Sequence, residues 1–200
     1  MANKQDVQKK KSWVRETVEI IIVAFLLAFV IKVFIFEFYK IPSGSMIPTL
    51  LVGDRIVVVK FVYGPRLPFI NVRLPGFREP KAGDIVVFKA PPPNPEVSFI
   101  KRFIAGPGDT VEIKNGKLIL NGKEVDDPPA FRRIYYYNRG DFWQGDKPLT
   151  VPKDSYLVLG DNSANSKDSR YWGFVPKSGL IGKAVFVMLP LNRMQIITDK

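Results

Sequence analysis

The chain has 200 residues, of which 46% are hydrophobic and 24% are charged, so it is not a disordered tail and is long enough to bury a sizeable core. It contains no cysteine and no histidine, which excludes a disulfide framework, a Cys/His zinc site, a cysteine nucleophile and a Ser-His-Asp triad. The formal net charge of +11 fits either a nucleic acid or an anionic membrane surface as a partner.

The first apolar segment of the chain is long enough to cross a membrane. From Ile20 to Phe36 every residue is apolar except Lys32. We predict a transmembrane helix over residues 18–39, which would extend about 33 Å at about 1.5 Å per residue and so match a hydrocarbon core of about 30 Å. The alternative is a cleaved signal peptide with residues 20–31 as its apolar region.

The charges that flank this segment predict its orientation. Residues 1–17 carry five basic and two acidic side chains, and the positive-inside rule therefore places this basic tail in the cytoplasm. Residues 40–200 are then predicted to form a domain outside the cytoplasm. The net charge is better explained by this orientation and by anionic headgroups than by DNA. We therefore expect membrane lipids and no nucleic acid among the partners, since we find no nucleic-acid-binding motif.

The rest of the chain is typical of a mostly β, antiparallel fold. Short apolar runs alternate with proline- and glycine-rich segments, and the pairs Asn115-Gly116 and Asn121-Gly122 separate three short strand-like runs. Asn-Gly between strands favours a two-residue type I′ hairpin turn, because both residues must take positive φ. We expect residues 106–150 to form a smaller inserted β subdomain. The main predicted strands are 55–61, 84–88, 97–104, 156–159 and 183–189.

The absence of histidine and cysteine limits the available chemistry. Proton transfer at neutral pH then needs a lysine or a carboxylate with a shifted pKa, and serine or threonine is the obvious nucleophile. Ser43 and Ser45 flank Gly44 between Pro42 and Pro48, so the prolines restrict the backbone that carries the two hydroxyls. An exposed turn next to the membrane would have the same sequence pattern.

One lysine lies in a predicted strand among apolar residues. With the period of two of a β-strand, Lys101 shares a face with Val97, Phe99 and Phe103, whereas Arg102 points to the other side. Removal of an ammonium group from water lowers its pKa, which would make Lys101 a candidate base. Alternatively, Lys101 extends its amine to solvent or pairs with a carboxylate.

A third candidate segment, residues 160–173, follows the predicted strand 156–159. It is dense in hydroxyl, amide and charged side chains, as a solvated loop rich in Asx turns would be. Asp168 and Arg170, two residues apart, and the Tyr171-Trp172 pair that follows favour a loop that is held against the domain.

These segments occur in an order that resembles the bacterial type I signal peptidases, which are membrane-anchored Ser/Lys proteases. The resemblance extends from the predicted anchor to about Gly182. It rests on the segment 42–50 (Pro-Ser-Gly-Ser-Met-x-Pro-Thr-Leu), Gly53-Asp54, the segment 83–88, Lys101-Arg102 with Gly106-Pro107-Gly108-Asp109, and Gly160-Asp161-Asn162 through Ser166 to Asp168-Ser169-Arg170. The chain departs from common family forms at Ser163-Ala164 and at Lys167.

The resemblance implies roles for individual residues. Ser45 is expected to be the nucleophile, Lys101 the neutral general base, and Ser166 the residue that orients Lys101 by a hydrogen bond. The Ser45 N–H and the Ser43 hydroxyl are expected to form the oxyanion hole, without metal or cofactor. Further expected features are two structural ion pairs, Asp161 with Arg102 and Asp168 with Arg170, and a substrate pocket formed by Ile41, Pro42, Met46, Phe99 and Ile100.

The resemblance also implies the reaction and its place. We expect a serine endopeptidase that removes signal peptides from secretory preproteins through an acyl-enzyme, with small residues at positions −1 and −3 of the substrate. Alternate side chains of an extended peptide point into the enzyme, which accounts for the pair of positions. The enzyme would lie in the bacterial cytoplasmic (inner) membrane as a single-pass protein, close to the secretion translocon.

Three other interpretations remain open at this level. A penicillin-binding enzyme would use Ser98-Phe-Ile-Lys101, Ser163-Ala-Asn165 and Lys177-Ser-Gly179, but on a strand Ser98 and Lys101 face opposite sides. A non-catalytic β module on a membrane would tolerate loss of Ser45 and Lys101. A self-cleaving Ser/Lys protein of the LexA-like type shares the dyad, although a membrane anchor argues against it.

Overall fold

A computed structural model describes residues 13–67, 70, 72–91 and 96–197, so most of the predicted cytoplasmic tail lies outside the described residues. The chain begins with helix α1 (Trp13–Val30), which continues into a short π-helical segment (Ile31–Ile35). These two segments together, Trp13–Ile35, are long and apolar enough to cross a membrane. Their side chains are not buried inside the domain.

The predicted helix over residues 18–39 has the wrong boundaries. The helix starts at Trp13, and Phe36–Lys40 is not helical but forms strand β1. This strand pairs antiparallel with a neighbour, with Phe38 opposite Val57, and such pairing favours aromatic residues in a strand. The apolar run therefore contains the N-terminal helix and the first strand of the domain, and the domain begins at residue 36 and not at residue 40.

The larger sheet contains eight antiparallel strands among the described residues. Its order is β1-β2-β11-β3-β4-β9-β10, with β12 paired to β11. The strands are β1 (Phe36–Lys40), β2 (Arg55–Val59), β3 (Ile85–Lys89), β4 (Ser98–Ala105), β9 (Ser155–Leu159), β10 (Val175–Pro176), β11 (Leu180–Leu189) and β12 (Gln195–Ile196).

A smaller sheet is inserted between β4 and β9, which pair directly with each other. Its order is β7-β6-β5-β8. The residues of both Asn-Gly pairs have positive φ, between 51° and 80°, as a type I′ turn requires. The mostly β fold class with an inserted β subdomain is thus confirmed. The strands are β5 (Thr110–Lys114), β6 (Lys117–Leu120), β7 (Lys123–Glu124) and β8 (Leu149–Thr150).

Short helical turns lie between these strands. They include α2 (Ala130–Arg133) in the insertion, α3 (Ser169–Trp172) after β9, and the 3₁₀ turn Gly44–Met46 after β1. Further 3₁₀ turns are Phe61–Tyr63, Ser163–Asn165, Lys177–Gly179 and Leu191–Arg193. The turn Gly44–Met46 is held in place because Met46 is fully buried in a core cluster with Ile56 and Ile85 from the larger sheet. This packing fixes the position of Ser45, which precedes Met46.

Candidate active site

Ser45 and Lys101 come together from two distant parts of the chain. Ser45 lies in the 3₁₀ turn after β1 and is 8% exposed, whereas Lys101 lies in β4 and is 3% exposed. The Lys101 Nζ donates a hydrogen bond to the Ser45 Oγ at 2.7 Å and a second one to the Ile100 carbonyl oxygen at 3.0 Å. The two side chains are therefore placed for proton transfer between them.

The surroundings of Lys101 favour its neutral form. Burial lowers the pKa of Lys101 from 10.5 to about 8, although the carboxylates of Asp168 and Asp161 act in the opposite direction. The Nζ lies 5.7 Å from the centroid of the Phe99 ring, which the sequence places on the same face of the strand. Near pH 8, about half of the Lys101 amines are unprotonated and able to accept a proton.

Asn162 ties the loop after β9 to the turn that carries Ser45. Its backbone N–H donates to the Ser45 carbonyl oxygen at 3.0 Å, and its Nδ2 donates to the Gly44 carbonyl oxygen at 3.0 Å. Asn162 belongs to one of the motifs quoted above, but no role was predicted for it. The sequence offered one indication of this role: Asn162 has an amide side chain, which can both donate and accept hydrogen bonds, and it follows the acidic Asp161.

The ion pair between Asp161 and Arg102 is present and fully buried. The Arg102 Nε donates to one carboxylate oxygen at 2.8 Å and its Nη2 to the other at 2.6 Å, with side chains 0% and 2% exposed. The Thr49 hydroxyl also hydrogen-bonds Asp161. Asp161 therefore links β4, which carries Lys101, to the segment that follows Ser45.

The second ion pair, between Asp168 and Arg170, is also present. The Arg170 Nε and Nη2 donate to Asp168 at 2.9 and 2.8 Å, and both side chains are 0% exposed. Asp168 also accepts from the backbone N–H of Gly160 at 2.9 Å and caps α3. Ser163, where the sequence departs from common family forms, accepts from the Arg170 Nη1 at 2.7 Å and from the Tyr137 N–H in the insertion.

The predicted hydrogen bond from Ser166 to Lys101 is not formed. Ser166 is 4% exposed, and its Oγ has no hydrogen-bond partner among the described residues. It lies against Gly160, where an added Cβ would overlap both the Ser166 Oγ and the Ser45 carbonyl oxygen. The Ile100 carbonyl in β4 takes the place expected of Ser166, because the lysine side chain folds back on its own strand.

A small cavity is lined by residues of β1 and β4, including Ile100, which directly precedes Lys101. Its volume is about 20 Å³, so it has room for little more than one small group. Met46, which was predicted to line the substrate pocket, is fully buried and is not among the residues that line this cavity. Ser43 is exposed and has extended backbone angles. The lining consists of the predicted residues Ile41, Pro42, Phe99 and Ile100, together with Tyr39, Lys40, Ile56, Val87 and Ser98, which sequence analysis had not assigned to a pocket.

The Ser45 hydroxyl lies in a restrained turn and accepts a hydrogen bond from the buried Lys101, in a chain without histidine. This is the arrangement of a Ser-Lys hydrolase. Residues 14–189 match the family described as "Signal peptidase, peptidase S26". The chain belongs to this family. Its reaction is accordingly the removal of signal peptides by a serine peptidase.

Individual relatives agree with this assignment. A signal peptidase I of Leptolyngbya laminosa is 38% identical over 93% of this chain and 85% of the relative, and one of Pseudomonas aeruginosa is 36% identical over 80% and 67%. The crystal structure of a signal peptidase I from Enterococcus faecalis aligns with 31% identity over 53% of this chain and 97% of that chain, with a TM-score of 0.44. With the apolar helix Trp13–Ile35, family membership fits a membrane-anchored enzyme.

Proposed function

We propose that this protein cleaves signal peptides by a Ser/Lys dyad that works through an acyl-enzyme. The contact of 2.7 Å between the Lys101 Nζ and the Ser45 Oγ is the observation that supports it most directly. In the first step the neutral amine takes the hydroxyl proton while the Oγ bonds to the scissile carbonyl carbon. The resulting ammonium gives its proton to the leaving nitrogen, the C–N bond breaks, and an ester remains on Ser45.

The second step repeats this proton transfer with water. The unprotonated Lys101 takes a proton from a water molecule, whose oxygen attacks the ester carbonyl. The bond to the Ser45 Oγ then breaks, and the proton returns from Lys101 to the serine. We assign the oxyanion hole to the Ser45 N–H and the Ser43 hydroxyl, and loss of one such donor in other enzymes costs about 2.7–4 kcal/mol.

The small cavity supports a substrate with a small side chain at the position that enters it, because a volume of about 20 Å³ admits the methyl group of one alanine and excludes an aromatic ring. An extended peptide directs alternate side chains to the same side, about 7 Å apart, so the −1 and −3 side chains would both face the wall formed by residues 39–42 and 98–100.

The fold supports a site near the bilayer surface. Strand β1 follows the apolar helix directly, so only nine residues lie between Ile35 and Ser45. We propose a single span in the bacterial cytoplasmic membrane, with the basic tail in the cytoplasm and the domain outside. Anionic lipids and the secretion translocon are then its neighbours, and a signal peptide can be cut while its apolar part is still in the bilayer.

The experiment is cleavage of a preprotein by the detergent-solubilised full chain. A preprotein with Ala-x-Ala before the cleavage site should be cut after the second alanine, as mass spectrometry of both products would show. The matched substrate with phenylalanine at −1 should not be cut, because the cavity has no room for its ring. Cutting both substrates equally, or neither, would contradict the proposal, and the second result would favour a non-catalytic β module.

The dyad predicts an acid limb in the pH profile. The protonated amine cannot accept a proton, so activity requires the neutral form of Lys101, whose pKa burial lowers to about 8. As the pH falls below 8, kcat/KM should decrease about tenfold per pH unit, and at pH 6 it should be about 100-fold below its plateau. Initial rates between pH 5 and 9.5 check this. A flat profile down to pH 5 would rule out a lysine base.

A further inference from the structure

Lys60, the residue that follows β2, contacts both the end of the apolar helix and the start of the domain. Its backbone N–H donates to the Ile35 carbonyl oxygen at 2.9 Å, and its Nζ donates to the Lys32 carbonyl oxygen at 2.8 Å. The same Nζ pairs with the Glu37 Oε2 in β1 at 2.7 Å. Lys60 therefore binds the two segments that meet where the helix ends and β1 begins.

The end of the helix needs such a partner. In the π-helical segment the Phe36 N–H donates to the Ile31 carbonyl oxygen, five residues earlier. The last carbonyl groups of a helix have no donor within the helix, and a carbonyl group without a partner is costly beside lipid. The ammonium group of Lys60 supplies a donor to the Lys32 carbonyl, and its positive charge is favourable at the negative end of the helix dipole.

Lys60 lies on the domain side of this junction. Strand β2 pairs with β1 along its whole length, so the Lys60 backbone, which follows β2, is fixed to the larger sheet. The Lys60 side chain is 14% exposed, and its partner Glu37 also accepts a hydrogen bond from the Tyr39 hydroxyl at 3.3 Å. The bond from the Nζ to the Lys32 carbonyl thus crosses from the sheet to the helix, and a change in the angle between the helix and β1 would break it.

We propose that Lys60 is a positioning residue that fixes the angle between the apolar helix and the catalytic domain, and thereby the position of Ser45 relative to the bilayer. This inference rests on the proposed function and deepens it. Strand β1 leads from the helix to the turn that carries Ser45, so a change of angle at the junction displaces Ser45 together with the sheet. A signal peptide whose apolar part is in the same bilayer presents its cleavage site at a fixed height, whereas a soluble peptide can approach Ser45 from solution at any angle.

The test compares two substrates with the same Ala-x-Ala cleavage site. One is a preprotein whose apolar segment is reconstituted with the full chain in vesicles of phosphatidylethanolamine and phosphatidylglycerol. The other is a soluble peptide without the apolar segment, added to the same vesicles. The variants are Lys60→Met, which removes the donor and the charge at similar length, and Lys60→Arg, which keeps both. The matched control is Lys114→Met, which breaks the exposed pair with Glu112 in the insertion.

We expect the preprotein-to-peptide ratio of kcat/KM to fall about tenfold in Lys60→Met, because even a small displacement of the reacting groups slows a reaction that depends on their position. Lys60→Arg should keep the ratio within about twofold of wild type, because the guanidinium group can donate to both the carbonyl and the carboxylate. The ratio should not change in Lys114→Met. A wild-type ratio in Lys60→Met overturns the inference. Equal slowing of both substrates also overturns it, since that is the effect of a purely structural role.

A distance measurement tests the junction without any substrate. The chain has no cysteine, so spin labels attach only to introduced cysteines, here Ile21→Cys in the helix and Lys153→Cys just before β9, both at exposed positions. Pulsed electron paramagnetic resonance should give a narrow distance distribution with Lys60 present and a broader one in Lys60→Met, and equally narrow distributions overturn the inference. Failure of the wild-type chain to cut either substrate would instead refute the proposed function, and the distances would still decide whether Lys60 fixes the junction.

Discussion

Replacement of Ser45 by alanine should lower kcat/KM for an Ala-x-Ala preprotein by about 10⁴-fold or more, because no acyl-enzyme can form without the hydroxyl. Lys101→Met should cause a loss of similar size, since the methionine fills the buried position but cannot accept a proton. The two residues act on the same proton, so the double variant should be no slower than either single variant.

Initial rates measured at equal protein concentration, at pH 8.5 in detergent, check these losses. The matched control is Lys123→Met, which removes an exposed lysine of strand β7 and should retain wild-type activity. Thermal unfolding of each variant separates loss of chemistry from loss of fold. Wild-type rates in either Ser45→Ala or Lys101→Met would show that the reaction does not use this dyad.

The Asp168→Asn variant should be much less stable than the wild-type chain, which is the second large effect that we expect. This side chain is fully buried, pairs with Arg170 and also accepts a hydrogen bond from the Gly160 N–H. Loss of the carboxylate leaves the Arg170 charge without its counter-ion inside the protein, which costs about 3–5 kcal/mol of unfolding free energy. For a chain of this size we expect the melting temperature to fall by about 6–20 °C.

The control for this prediction is Glu124→Gln, which breaks the solvent-exposed pair with Lys117 and should change the unfolding free energy by less than about 1 kcal/mol. Asp168→Asn should also move the acid limb of kcat/KM to lower pH, because the Asp168 carboxylate raises the pKa of Lys101. An unchanged melting temperature together with an unchanged acid limb would show that Asp168 has neither role.

Sequence patterns predicted those features that depend on neighbouring residues. The two Asn-Gly turns follow from the positive φ that only a few residue types tolerate, and the main strands follow from short apolar runs between breakers. Residues 36–39 were assigned to the helix because most of them are apolar and continue the apolar run of α1. Only pairing with β2, some 20 residues later, makes this segment a strand.

The site was predictable as a set of residue types but not as a set of contacts. The dyad joins residues 56 positions apart, so the motifs could suggest the pair but not the distance between the two atoms. Ser166 was expected to bind Lys101, but the β4 backbone presents the Ile100 carbonyl instead. Asn162 received no role because its contacts depend on how the loop after β9 meets the turn that carries Ser45.

The proposed mechanism requires the amine of Lys101 to be neutral at the pH at which the enzyme works. Titration of the Nζ resonance by ¹⁵N NMR, with full-length protein in detergent micelles, measures this directly, and the signal that disappears in Lys101→Met assigns the resonance. The structure predicts a midpoint near pH 8 for this one amine. A midpoint at the ordinary lysine value of about 10.4 would contradict the account, because the amine would then be charged beside Ser45 throughout the working range.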